Sequence, residues 1–423
     1  MTPARLVQTA LRDPLLRDFV GAGPVTLIAA GKAALGMTHG FVEATDVQIA
    51  GGVAVGPGHG GTVPLAMTWH TGGHPLPSGG SLAAGQEALG CAAAASPSGC
   101  VVVLLSGGAS ALLAVPVPGL TLEEKIGATR TLLAAGTPIH ELNCVRKHLS
   151  AVKGGRLAQA AACRMLTLAI SDVVWPVEDD PAVIGSGPTV ADATTFADAA
   201  AIVRRPGVRD RVPTAVLRAL ERGAAGELPE TLKGNTGDSA ARWYRVIGSR
   251  RQAMLGAVSA ARGLGYTVRS VADPVVGEAR VAGAALPRRA ATAMRGLAGP
   301  QCVVSSGETT VTVAGRGRGG RNQEFALAAA PEMHRLGVTS VLASLGTDGV
   351  DGPTDAAGAL VDPGTIARAD RLRLEPVAAF LAENDSYSYF DRLGDLIRTG
   401  PTGTNVGDLQ VVVAAEAPRG VTL

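Results

Sequence analysis

Apolar residues in this chain fall mainly into short unbroken runs, and few segments alternate strictly. Val25–Ala30, Val101–Leu105 and Leu166–Ile170 each read as a strand buried on both faces of a parallel sheet. Each run ends in a loop rich in glycine, serine or aspartate: Gly31-Lys32-Ala33, Ser106-Gly107-Gly108 and Ser171-Asp172-Val173. A helical pattern follows the first two. Repeated strand–loop–helix units predict an α/β fold whose ligands lie beyond the carboxyl ends of the strands. Between Glu141 and Arg156 the period is helical through Leu142, Val145, Leu149 and Val152, which puts Asn143, Arg146, Lys147 and Lys153 on or beside a polar face. Gly154 and Gly155 interrupt that pattern, and each would cost about 1 kcal/mol inside a helix, so they predict a turn or a close approach. Residues 204–234 are charged and helical in pattern and lead into Gly234-Asn235-Thr236-Gly237. Beyond that loop the pattern resumes. Strands are predicted near Val246–Gly248, Tyr266–Val268, 307–313, Ser340–Leu345 and Leu409–Val413, with a helix over Phe325–Ala330. The prediction is two α/β domains: a larger Rossmann-like parallel sheet over 1–235 and a smaller one over 236–423.

Composition sharpens this picture. A chain of 423 residues exceeds what one hydrophobic core usually serves. Aromatics make up only 3% against 46% hydrophobic residues, so alanine, glycine and valine must fill the core by close packing. A net charge of +2 and few stacking rings argue against nucleic acid as a partner. The five cysteines are odd in number and lack C-x-x-C spacing, which fits free thiols in a reducing cytoplasm. Met1–Val20 reads as an amphipathic helix broken at Asp13-Pro14 rather than as a signal peptide. No run of about 18 uncharged apolar residues suggests a membrane span.

Three kinds of loop carry candidate chemistry. Gly315, Gly317, Gly319 and Gly320 alternate with Arg316 and Arg318 before Arg321, between a strand and a helix. Glycine lets backbone N–H groups approach an anion, and a helix N-terminus adds positive charge, so this loop and Ser106-Gly107-Gly108-Ala109-Ser110 are candidate phosphate cradles. The first also fits G-x-G-x-x-G formally, but a dinucleotide fold would want an acid about 20 residues on at the end of the next strand, and only Glu324 and Glu332 precede Ser340. Lys32 sits at a strand end without the Walker A spacing. Aspartates cluster at Asp172, Asp179 and Asp180, and again at Asp348, Asp351 and Asp355. Asp172 with Asp179 or Asp180 could hold Mg²⁺, which takes few carboxylates. His59, His70 and His74 lie in a Gly- and Pro-rich stretch that precludes a helical zinc pair, and are read as orienting backbone or substrate. Several glycine turns, a lysine, an arginine and strand-end aspartates together suit phosphoryl transfer better than hydride transfer.

These motifs together resemble the glycerate 2-kinase family, the class II glycerate kinases of the MOFRL type. The matching stretches include Gly31-Lys32-Ala33, Ser106–Ser110, Asn143 with Val145–Ser150, Lys153–Leu157, Ser171–Val173, Ser186–Thr189, Gly307–Thr310, Gly319–Glu324, Thr347–Asp355 and Gly400–Val406. The resemblance spans nearly the whole chain. It implies two α/β domains facing across a cleft that holds the active site. It also implies ATP-dependent phosphorylation of D-glycerate on its 2-hydroxyl, with a divalent cation, usually Mg²⁺. Lys32 and Arg321 match proposed active-site residues of the family. Phosphates would be cradled by Ser106, Gly107, Gly108, Ser110, Gly315, Gly317, Gly319 and Gly320. Arg146 or Lys147 would take the glycerate carboxylate, with Asn143 and Asn322 beside the substrate, and Asp172 or Asp348 would orient or deprotonate the hydroxyl. The segment Val173–Glu178 is longer than the family's short turn, and Arg250 and Gly407 stand where asparagine is common. Some relatives are called hydroxypyruvate reductases, so an NAD(P)H-dependent reductase is the alternative. Self-association stays open.

Overall fold

The computed structural model describes all residues except Met1, His59, Pro176, 235–240, Leu297, Val338 and 416–423. The chain forms two compact units, Met1–Val173 with Val177–Ile247, and Gly248–Leu423 with Val174–Pro176. The boundary expected at 235/236 lies outside the described residues; the units divide after Ile247, because the strand Arg242–Gly248 belongs to the first sheet.

That sheet contains β1 (Val25–Ala30), β2 (Ile49–Gly56), β3 (Met67–Thr71), β4 (Cys100–Leu105), β5 (Arg164–Ile170) and β6 (Arg242–Gly248), in the order β3-β2-β1-β4-β5-β6. Strands β3 through β5 run parallel. This is the doubly wound order, and its switch point lies between β1 and β4. The three apolar runs are indeed β1, β4 and β5, and all of β1 and β4 is buried. Small residues replace aromatics in the core as composition demands: Ala84, Ala88 and Ala92 of the helix Gly79–Ala93 lie fully buried against Val53, Val55, Val101 and Val103. The N-terminal pattern breaks where expected, into helices Pro3–Ala10 and Pro14–Val20, the second capped by Asp13. Among the described residues no helix is long and apolar enough to cross a membrane.

The second unit holds a mixed sheet. Its strands are β7 (Thr267–Ser270), β8 (Val275–Glu278), β9 (Gln301–Thr310), β10 (Ser340–Gly346), β11 (Gly358–Val361), β12 (Leu396–Ile397) and β13 (Asp408–Ala414). The order is β12-β11-β10-β13-β9-β7, with β8 also on β9. β13 is antiparallel to both β9 and β10, while β7 and β8 run parallel to β9. Helices Ala279–Met294 and Arg321–Leu336 cover it, and they meet where Gly283 leaves no room for a Cβ against the Phe325 backbone. The second helix is buried continuously from Asn322 to Ala330. Its N-terminus is thereby held rigidly against the β9 and β13 ends.

Candidate active site

In the first unit the switch point is closed by three backbone devices. The Lys32 N–H donates to the Gly107 carbonyl at 2.9 Å, and the Ala33 N–H donates to Ser106 Oγ at 3.0 Å. Gly31 has φ +131° and no space for a Cβ against Ser106. Ser106 is therefore a tie between the two turns, its Oγ accepting from the Ala33 N–H. Among the described residues the Gly107 and Gly108 N–H groups have no acceptor. Lys32 stands half-buried beside them.

Next to this crevice lies a concentration of cations. The predicted helix is Ile139–His148 and stops short of Leu149 and Val152, where the pattern extended, so Lys153 lies beyond it. Gly154 and Gly155 adopt φ of +59° and +78° in the turn before the helix Arg156–Ala160, as the interrupted period implied. The polar face, however, is not solvated. Asn143, Lys147 and Lys153 are buried. Lys153 donates to the carbonyls of Ser110 and Leu113 at 2.6 and 3.0 Å, closing the short helix after β4. Lys125 donates to the carbonyls of Arg146 and Leu149, and Arg156 to those of Lys147, Ser150 and Pro229. Lys147, expected to contact substrate, is paired with buried Asp192 at 3.2 Å. Burial would raise the Asp192 carboxyl, but Lys147 and the Thr194 hydroxyl and amide outweigh it and hold the pKa below the usual value. Burial, with Arg146 adding like charge, pulls Lys153 down to about 7. Arg146 differs from its neighbours: half-buried, its guanidinium has no partner among the described residues, and burial lowers its pKa. An unneutralised guanidinium in a cationic environment is a receptor for an anion.

Ser110 joins the same region. Its hydroxyl meets that of Ser186 at 2.8 Å, and Ser186 is buried with φ +63°. On β5 the turn delivers Asp172 as expected. The long segment after it closes on itself, the Asp179 N–H donating to the Val173 carbonyl at 3.1 Å, so Asp172 and Asp179 stand at the two ends of one loop.

In the second unit the helix Arg321–Leu336 gathers a charge cluster at its start. Arg321 grips Asp408 with Nε and Nη2 at 2.7 and 2.9 Å, and reaches Glu308 with Nη1 at 2.7 Å. Asn322 donates to Asp408 at 3.0 Å and accepts from Ser344 at 2.7 Å. Asp348 lies close enough to raise the Asp408 carboxyl, though burial does most of that and Arg321 opposes it. The helix N-terminus already has an anion: the Asp351 carboxylate accepts from the Asn322 and Gln323 N–H groups at 3.0 and 2.8 Å. Burial raises Asp351 to about 6 against the pull of those two bonds.

This corrects the cradle expectation for Gly315 and Gly317, whose N–H groups are used inside the protein. The Gly315 N–H donates to Asn384 Oδ1 at 3.0 Å and the Gly317 N–H to the Glu383 carbonyl at 2.7 Å. A Cβ on Gly315, Gly317 or Gly319 would collide with Glu383, Asp385 or Ser386, and one on Gly320 with Asp351. These glycines pack the loop onto the chain before the helix Ser386–Leu393. Arg318 stacks on Tyr387 at 4.1 Å. Gly315→Ala is expected to destabilise the protein by about 1–3 kcal/mol through overpacking, with the KM for nucleotide unchanged. Urea unfolding and steady-state kinetics check both. Arg250 is likewise internal, its guanidinium on Ser306 Oγ at 2.8 Å. Gly407 has φ +87°, which disfavours an asparagine there less than other side chains.

Sequence reasoning missed Asp408 and Glu308 as the partners of Arg321, and Asp192 as the partner of Lys147. An aspartate opening a strand straight after a glycine loop is the signal that could have found Asp408.

Comparison with known families and structures agrees with this architecture. Residues 1–221 match a domain of unknown function, DUF4147, and residues 301–408 match the MOFRL family. A protein from Pyrococcus horikoshii named glycerate 2-kinase is 38% identical over 96% of this chain and 90% of its own length. A Thermotoga maritima protein named D-glycerate 2-kinase is 36% identical over 91% of this chain and 89% of its own. An Agrobacterium vitis protein provisionally named a hydroxypyruvate reductase is 39% identical over 92% and 87%. The crystal structure of glycerate kinase from Thermotoga maritima superposes with a TM-score of 0.83 at 34% identity, covering 97% of this chain and 96% of that one. The chain belongs to the glycerate 2-kinase family.

Proposed function

We propose that this protein is a kinase that transfers the γ-phosphoryl group of ATP to the 2-hydroxyl of D-glycerate, giving 2-phospho-D-glycerate and ADP. The observation that carries the reading is the unpartnered Arg146 guanidinium among cations that are otherwise satisfied, beside the β1/β4 switch point. Arg146 binds the glycerate carboxylate, to which a guanidinium can offer two parallel N–H groups. Asn143 lines the same helix. Lys32 neutralises charge on the transferred phosphoryl group, and the N–H groups of Gly107 and Gly108 with the Ser110 hydroxyl contact phosphate oxygens. Arg321 and Asn322, held by Asp408, are the phosphate-binding candidates of the second unit. Asp172 or Asp348 orients the acceptor hydroxyl.

A divalent cation accompanies ATP in this reading. Among the described residues no group of three or more His, Cys, Asp or Glu side chains could hold a metal. Mg²⁺ needs no such cage, since it binds through one or two carboxylates with substrate phosphates, and Asp172 and Asp179 at one loop base suit that role. When bound, it neutralises phosphate charge. The free cysteines fit a cytoplasmic location.

The reductase reading rests on a relative's name and the G-x-G-x-x-G spacing. The glycines of that spacing are occupied by packing, and the turn after β1 lacks the fingerprint. The protein with ATP and D-glycerate should release ADP, and with NADH and hydroxypyruvate should leave the nicotinamide absorbance unchanged. The opposite pair of results would establish the reductase.

A further inference from the structure

The histidines of the described residues divide by what their rings touch. His39 meets the Thr62 carbonyl at 2.7 Å, His70 meets Glu87 at 2.6 Å, His148 meets the Cys144 carbonyl at 2.8 Å, and His334 meets the Pro363 carbonyl at 3.0 Å. His74 and the exposed His140 have no hydrogen-bond partner for either ring nitrogen among the described residues, but His74 is held in place by the chain around it. β3 runs parallel to β2, so the chain leaves it at the same sheet edge as the turns after β1 and β4. The Gly72 N–H donates to the Gly56 carbonyl at 2.9 Å, and the Gly73 N–H donates to Ser81 Oγ at 3.0 Å, pinning the two residues before it. The ring lies on Gly108: a Cβ there would stand 2.9 Å from Cδ2 and 3.3 Å from Nε2. Gly108 has φ +88° as well, so both its backbone and the ring demand glycine. Lys32, joined through its backbone to Gly107, is near enough for its charge to act on the ring. A lysine, two backbone N–H groups without acceptors and an imidazole with unused nitrogens therefore converge outside β1 and β4.

We infer that His74 is the general base of the reaction, taking the proton from the acceptor hydroxyl. The inference rests on the proposed kinase function. As the 2-hydroxyl oxygen forms its bond to the γ-phosphorus, the O–H proton passes to a His74 ring nitrogen. The bond from phosphorus to the bridging oxygen breaks, and its electron pair leaves with ADP. The imidazolium then gives its proton to solvent, to which the ring is open. Asp172 keeps the role of orienting the hydroxyl.

The electrostatics agree with the geometry. Burial, then the Lys32 charge, lowers the His74 pKa from its ordinary 6.5, so the ring is neutral and able to accept a proton at neutral pH. Lys32 is the charged group acting on it, and the Gly107–Gly108 turn and the Gly72–Gly73 strand exit bring no titratable side chain. The sign follows: as pH falls below the lowered pKa the base is lost, and activity falls with it. Phosphate bound at Lys32 would offset the cation and raise the ring pKa, making the base stronger once nucleotide is in place.

The test combines His74→Gln with a ring titration. His74→Gln, with a wild-type circular-dichroism melt as its fold control, should lower kcat about 100-fold with little change in the KM for D-glycerate, and should lose the acid limb of the kcat profile. By proton NMR, the His74 ring pKa should rise in Lys32→Met and on adding nucleotide to the wild type. A His74→Gln enzyme within about threefold of wild-type kcat and with its acid limb intact overturns the assignment, since a lost base should cost far more. So does a ring pKa indifferent to Lys32. A wild-type protein that forms no ADP from ATP and D-glycerate overturns the kinase reading instead, and the NMR titration distinguishes that case.

Discussion

Lys32→Ala is expected to lower kcat by about 10²–10³-fold, the usual loss when one preorganised charge at the developing oxyanion is removed. Stability should change by less than about 1 kcal/mol. The reason lies in how the turn is built. Its shape comes from the Lys32 N–H on Gly107, the Ala33 N–H on Ser106 and the φ of Gly31, all of which survive truncation of the side chain. Steady-state kinetics with a calorimetric melt separates the two effects. Near-normal turnover would remove Lys32 from the reaction.

Arg321→Ala should fail in a different way. Its guanidinium neutralises Asp408, which is only 1% exposed, so truncation leaves a buried carboxylate without its bidentate partner. Such losses typically cost about 3–5 kcal/mol, enough to lower the yield of folded protein. A fall in activity of this variant would therefore be ambiguous. Arg321→Met combined with Asp408→Asn resolves it, because the buried carboxylate goes with its partner and only the more exposed Glu308 loses a contact. The pair should recover most of the stability and remain at least about 100-fold down in kcat. A double variant that regains both would make the ion pair purely architectural.

The parts of this protein that were legible in its sequence are those governed by local pattern. The runs forming β1, β4 and β5 could be read because strands buried on both faces need no alternation. Asp13-Pro14 and Gly154-Gly155 mark breaks that a helix cannot absorb. What failed concerns contacts distant in sequence. The glycines from Gly315 to Gly320 looked like an anion cradle, since the same absence of Cβ serves a phosphate or a neighbouring chain. Only the fold brings Glu383–Ser386 onto them. Lys147 was expected at the substrate carboxylate, because nothing near it in sequence shows Asp192, which takes that ammonium group. His74 was read with His59 and His70 as orienting backbone or substrate, and the parallel exit of β3 is what places it beyond the strand ends.

The central claim is that the chain phosphorylates the 2-hydroxyl of glycerate. Incubation with ATP, Mg²⁺ and D-glycerate, followed by phosphorus NMR of the product mixture, tests it directly. The account predicts ADP and a phosphomonoester whose phosphorus couples to the single C2 proton, as in 2-phosphoglycerate. A resonance coupled to the C3 methylene protons, or ATP left intact in the presence of folded protein, would contradict it.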